Sequence, residues 1–244
     1  MSSFWSNFKK VPGGYRRRGL GRWFQILEER FMTLFWANLL CVAWALPFLI
    51  SLFFFLQTWD LLSLAGLVLG LAILGPGVTA LTHVCMQVIL DKPVFLWHAF
   101  WGSVRRDWKQ SLLFTLILGA LWGTLAYAVR LVSAVQGGLG PLYTMVFCLN
   151  AFVLMGLTLF GYQQIAMVRL PFYGVLKNAF ALMFAGGLRS AGAILLGLAV
   201  TGVCLWFYEY CVWYLLVGVP ALTVMTANLI FCPVFEELFP EDDA

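Results

Sequence analysis

Residues 74–110 read LGPGVTALTHVCMQVILDKPVFLWHAFWGSVRRDWKQ, and the reading of this stretch decides the fold. It begins in an apolar run that Gly75, Pro76 and Gly77 interrupt, passes the charged turn Asp91-Lys92-Pro93, and enters a tryptophan-rich basic segment. Proline removes a backbone donor from a helix interior and glycine loosens it, so the triplet predicts a membrane helix that bends or breaks. Over 94–110, Trp97, Phe100, Trp101, Val104 and Trp108 recur at helical spacing, while His98, Gly102, Arg105, Arg106 and Lys109 fall on the other side. Tryptophan favours the headgroup level and cations favour anionic phosphates. The segment therefore predicts an amphipathic helix lying in the cytoplasmic interface.

The rest of the chain places that stretch in a membrane. Of 244 residues, 62% are hydrophobic, 17% aromatic and only 11% charged, with a mean hydropathy of +0.90. Soluble domains carry about 25% charged residues. A spanning helix needs about 20 apolar residues, and such runs fill this chain with charge confined to the gaps between them. Spanning β-barrels need short alternating strands, which the sequence lacks, so the expected class is an all-α integral membrane protein. The six cysteines all sit inside apolar runs without a CxxC pair and are expected to be packing residues. The first apolar run begins at Phe31, is too long for a signal-peptide core and has no small-x-small cleavage site. It is therefore expected to stay in the protein.

Six transmembrane helices are expected within 31–235, over 31–59, 61–90, 111–129, 141–168, 191–207 and 210–235. Interfacial helices over about 94–110 and 172–189 would follow the second and fourth spans. Residues 1–30 form a basic cytoplasmic segment and 236–244 an acidic cytoplasmic tail. Gly218 and Pro220 predict a possible break in the last span. Topology follows from the accumulation of lysine and arginine on the cytoplasmic side. With both termini inside, the inner segments hold Lys9, Lys10, Arg16, Arg17, Arg18, Arg22 and Arg30, then Lys92, Arg105, Arg106 and Lys109, then Arg169, Lys177 and Arg189, whereas the outer segments hold only Arg130. Sliding the chain by eighty residues aligns His98-Ala99-Phe100 with Asn178-Ala179-Phe180 and Lys109 with Arg189. That suggests a parallel repeat of span, in-plane helix and span, against chance similarity of two apolar segments.

Catalytic constellations are absent from the sequence: there is no nucleophile elbow, HExxH, P-loop or carboxylate pair within a span. His83 lies in an apolar helix and His98 on the interfacial one, both expected to be hydrogen-bonded structural residues. No enzyme activity, cofactor or metal site is expected. Asp60, Asp91, Arg130 and Glu209 fall at span ends, so an ion path lacks its usual intramembrane charges. A ligand site at the helix break would use Gly75, Pro76 and Gly77 with Thr79 and Thr82, and Asn38, Asn150, Gln163 and Gln164 offer further polar contacts. Pairing between neighbouring helices is the plainer reading of all these groups. Trp97, Phe100, Trp101, Arg105, Arg106, Trp108 and Lys109 form either a structural anchor or a docking face for a partner. The bilayer is the first expected partner, with anionic cytoplasmic lipids attracting each basic residue by about 1 kcal/mol. No nucleic-acid partner is expected.

Asn38-Leu39-Leu40, Leu46-Pro47, Gly75-Pro76-Gly77-Val78-Thr79-Ala80-Leu81, and Phe100-Trp101 through Arg105-Arg106-Asp107-Trp108-Lys109-Gln110 occur in collinear order. In these motifs the chain resembles the YesL family, bacterial multi-pass membrane proteins of unknown function. It departs from the family pattern at Gly77, where alanine is common, at Asp107, where asparagine is usual, and in its longer basic N-terminus. The resemblance implies the cell membrane of a bacterium and a link to carbohydrate uptake. The implied role is a non-enzymatic accessory or scaffold subunit of a carbohydrate ABC importer, with the importer's permease subunits as partners. A small-molecule transporter or channel, with its site at the Gly75-Pro76-Gly77 break, is the alternative. No catalytic residues carry over.

Overall fold

The computed structural model describes residues 20–58, 61–136, 140–168, 170–207 and 211–238. The basic residues up to Arg18, together with Asp60, Arg169, Glu209 and the acidic residues Glu241 to Asp243, lie outside the described residues. Among the described residues the structure is all-helical: α1 Leu20–Thr58, α2 Leu61–Ile89, α3 Leu96–Gln136, α4 Pro141–Met167, α5 Phe172–Ala185, α6 Leu188–Trp206, α7 Cys211–Val217 and α8 Val219–Leu238. Four helices are long and apolar enough to cross a membrane, and α5 with α6 supplies a fifth span if the bent pair counts as one. The chain is thus a helical membrane protein. Its α8 contributes only the shorter apolar helix Val219–Cys232.

Three boundaries differ from the sequence-based expectation, each for a local reason. First, α2 is one helix and does not break at Gly75-Pro76-Gly77. The triplet is clamped between neighbours: the Trp44 indole of α1 donates to the carbonyl of Ile73, and the Thr79 hydroxyl donates to that of Gly75 at 3.0 Å. The glycines serve close approach. A Cβ on Gly75 would stand 2.7 Å from the Ser111 carbonyl of α3, and one on Gly77 would stand 2.6 Å from the Trp44 ring. Second, α3 runs unbroken through 110 and 111, so 94–110 is not a separate helix. No glycine or proline stands between Gly102 and Gly119, and the hydroxyls of Ser111 and Thr115 bond back to Asp107 and Ser111 within the same helix. Third, the change of direction falls later, between α5 and α6, which meet at 108°. Gly187, at φ 49 and ψ −122, adopts a turn conformation open to glycine, and the Ser190 hydroxyl donates to the Leu182 carbonyl at 2.8 Å across the elbow.

The elbow gives α5 the separate identity expected over 172–189, but the eighty-residue repeat does not extend to structure. Phe100 is buried where Phe180 is exposed, and unbroken α3 stands where α5 and α6 bend. Among the described residues the interior forms two clusters. One joins α1, α2, the start of α3 and α8; the other joins α3, α4, α5 and α6. The last two turns of α4, from Phe160 to Met167, are buried on every side and contribute to both.

The expected break in the last apolar run is present at Gly218, whose φ is 106. A helix end exposes unpaired carbonyls and amides, and Asn38 of α1, fully buried, covers two of them. Its Nδ2 donates to the Leu215 carbonyl at 2.6 Å and its Oδ1 accepts from the Ala221 amide at 3.3 Å. Asn38→Ala is therefore expected to lower unfolding free energy in detergent by about 1–3 kcal/mol, because it strips both backbone groups of a partner. In the same assay Pro76→Ala should stay within about 1 kcal/mol of wild type, since α2 already accommodates the proline by packing and returning the amide restores an ordinary helix bond.

Candidate functional site

The described charged side chains near the α2–α3 turn converge on one end of the bundle, and the chain builds that end from three helix termini. At the end of α2, the amides of Asp91 and Lys92 bond back to Val88 and Gln87, and Asp91 takes a positive φ of 56 to make this possible. Asparagine and aspartate tolerate that region better than other side chains. Arg22 of α1, buried, donates to the Ile89 carbonyl at 3.2 Å and pairs with the Asp91 carboxylate. It thereby ties the start of α1 to the end of α2.

The second terminus is that of α4, where the Ala166 carbonyl receives two side chains. His83 Nδ1 of α2 lies 3.1 Å away and Arg106 Nη2 of α3 also donates at 3.1 Å. A carbonyl only accepts, so Nδ1 of His83 carries the proton and Nε2 is left to accept from the Gln87 amide at 3.0 Å. Arg106 also grips Asp107 through Nε and Nη2 at 2.7–2.9 Å. The Asp107 carboxylate is nine-tenths buried and takes a further 3.4 Å bond from Ser103. One residue past α4, the chain is held by Gln110, whose Nε2 donates to the Leu170 carbonyl at 2.9 Å. The charges in this cluster are paired, and its histidine is bonded on both nitrogens. The arrangement joins α2, α3 and α4 and leaves no base open to a substrate.

The helix-break set expected from sequence lies together but inward. Gly75, Pro76 and Gly77 are buried between α1 and α3, and the hydroxyls of Thr79 and Thr82 bond to their own helix. The expected docking face divides. Phe100 is core, packed with Val104 in the cluster that α2 leads. Trp101 is half-buried, its ring between those of Trp44 and Trp97 at 5.3 and 5.7 Å. Arg106 turns toward α4. What remains outward is Trp97 at 65% exposure, Trp108 at 48%, Arg105 and Lys109, with the Lys109 ammonium 5.6 Å from the Trp108 ring centre. Helical spacing identified the apolar face of this segment correctly, but most of that face packs on its own protein.

Sequence reasoning missed Arg22, Asp107, Gln87 and Gln110 as members of the polar end. Asp107 carried a signal, an acid beside Arg106 and one turn from Ser103. The carbonyls these groups satisfy belong to residues 60 or more positions away, which no local pattern reveals.

A family model described as "Protein of unknown function, DUF624" matches residues 31–129, the stretch from α1 through most of α3. No curated protein and no solved structure matches the chain.

The buried pair sets an asymmetry that mutation can read. Arg106→Ala leaves the nearly buried Asp107 carboxylate without its partner, and it should cost about 2–3 kcal/mol of stability. Asp107→Asn leaves Arg106, about a third of which is exposed and can turn to water, and it should cost under about 1 kcal/mol. Chemical unfolding of the two variants in the same detergent checks the order.

Proposed function

We propose that this chain is a non-enzymatic membrane subunit that meets a partner through the outward strip Trp97, Arg105, Trp108 and Lys109 on the basic end of α3. The observation that carries this reading is that strip itself. Its side chains remain outward after the buried network of the same helix has taken Phe100, Arg106 and Asp107. The 41 residues of α3 make a helix about 60 Å long at 1.5 Å per residue, twice a hydrocarbon core of about 30 Å. The half that carries Arg105, Arg106, Asp107 and Lys109 is the half that belongs outside the hydrocarbon.

The finer reading is a protein of YesL type in a bacterial cell membrane, with six spans and both termini cytoplasmic. It would be an accessory or scaffold of a carbohydrate ABC importer, contacting the importer's permease subunits, with anionic lipids around the same basic end. The resemblance in the Gly75–Leu81 and Phe100–Gln110 motifs supports the family reading, and so does the match over 31–129 to a model of unknown function. The orientation is supported by the split of basic residues across the two ends. Arg105 and Arg106 stand about 36 Å along α3 from Arg130, more than one hydrocarbon thickness.

Gentle-detergent copurification with crosslinking from the native membrane tests the importer link. A permease or ATPase subunit should be recovered with wild type. Arg105→Glu combined with Lys109→Glu should reduce that recovery at least about tenfold without moving the melting temperature, since neither side chain has a structural partner to lose. Recovery of no importer subunit under any crosslinking condition would remove the proposed partner.

A further inference from the structure

Gln163 and Gln164 are neighbours in the last two turns of α4, each only 1% exposed. None of their four amide nitrogen and oxygen atoms has a hydrogen-bond partner in the protein. Gln87 Oε1, on the facing helix α2, is a fifth atom in the same condition. Buried polar side-chain atoms are bonded in the great majority of folded proteins, and those without a protein partner mark bound water or a ligand. The rest of this end obeys the rule closely: Arg22, His83, Arg106 and Gln110 each find a backbone carbonyl. Against that background two adjacent bare amides are a feature that needs an occupant.

Their placement defines where it sits. Gln163 stands one turn after Phe160, whose ring meets Phe231 of α8 at 4.7 Å, and one turn before Met167, which packs in the cluster of α2 and α8. It faces the seam of α2, α4 and α8. Gln164 stands one turn before Val168 and next along the helix from Gly161, which lies tight against Phe114 of α3. Three residues on from Gln163 is the Ala166 carbonyl that His83 and Arg106 share, and Gln87 is bonded to that same His83.

We infer that the last two turns of α4, with Gln87 opposite, form an internal binding site for a small uncharged molecule that both donates and accepts hydrogen bonds. The guest is uncharged because the charges beside it are already matched: Arg106 holds Asp107 bidentately, so an ion would enter without a counter-charge. It must accept from the amide nitrogens of Gln163 and Gln164 and donate to the oxygens of Gln87, Gln163 and Gln164. Water and a small polyol share this chemistry.

Radiolytic hydroxyl-radical labelling of the full-length protein in nanodiscs separates the outcomes, because it marks buried side chains that stand next to water. Met167 and His83 should be labelled in wild type well above the equally enclosed Ile194 and Phe114. Gln163→Leu with Gln164→Leu should cut that labelling about fivefold by emptying the site. Should the double variant fail to fold, Gln164→Leu alone and the wild-type pattern carry the same test. Erythritol present during exposure should suppress the wild-type labelling saturably if a polyol is taken up. If erythritol has no effect while the labelling persists, water is the resident molecule. Labelling of Met167 and His83 no higher than that of Ile194, with a higher melting temperature for the leucine variants, would mean that the amides are dry and would overturn the inference.

Discussion

In the interior of a membrane bundle, a carbonyl or amide that loses its helix partner has no water to replace it. That constraint accounts for most of the polar side chains placed inside this protein. Asn38 covers the break between α7 and α8, Trp44 reaches Ile73 beside Pro76, and Ser190 closes the elbow at Gly186 and Gly187. At the polar end Arg22 serves Ile89, His83 and Arg106 serve Ala166, and Gln110 serves Leu170. Each link runs from one helix to the end or the distorted turn of another, so polar pairing and helix packing fix the same contacts. Gln163 and Gln164 depart from the pattern, which is why they point to a guest.

How much of this was legible in the chain depends on the range of the interaction. The four long spans follow from uninterrupted apolar runs, and the break at Gly218 and the separate α5 follow from local composition. Gly75-Pro76-Gly77 misled because a proline was weighed by what it removes from an isolated helix. Here α1 and α3 grip that turn from both sides, and the glycines are the residues that let them come close enough. The 94–110 segment misled in a different way. Its helical period was right, but period alone does not say whether an apolar face meets lipid or protein, and Phe100 and Val104 meet α2. The network around Ala166 was out of reach, since its acceptor is a backbone atom of a distant helix.

Separating what packs inward from what stays outward changes the view of the basic end. Arg106 and Asp107, read at first as part of one charged surface, are a neutral interior pair that locks α3 to α4. Trp97, Arg105, Trp108 and Lys109 keep their outward position without a structural task inside the bundle. A surface of that kind is free to serve recognition, and its mutation can alter binding without altering the fold. The buried half holds the outward half in register, because both belong to the same turns of one continuous helix.

The central claim is that this outward strip lies at the cytoplasmic end and Arg130 at the opposite one. Labelling with a membrane-impermeant maleimide tests it directly, using Arg105→Cys and Arg130→Cys, each in a cysteine-free background, in sealed vesicles of known orientation. Reaction of residue 105 only from the cytoplasmic side and of residue 130 only from the other side is the predicted result. Reaction of both from one side would contradict it.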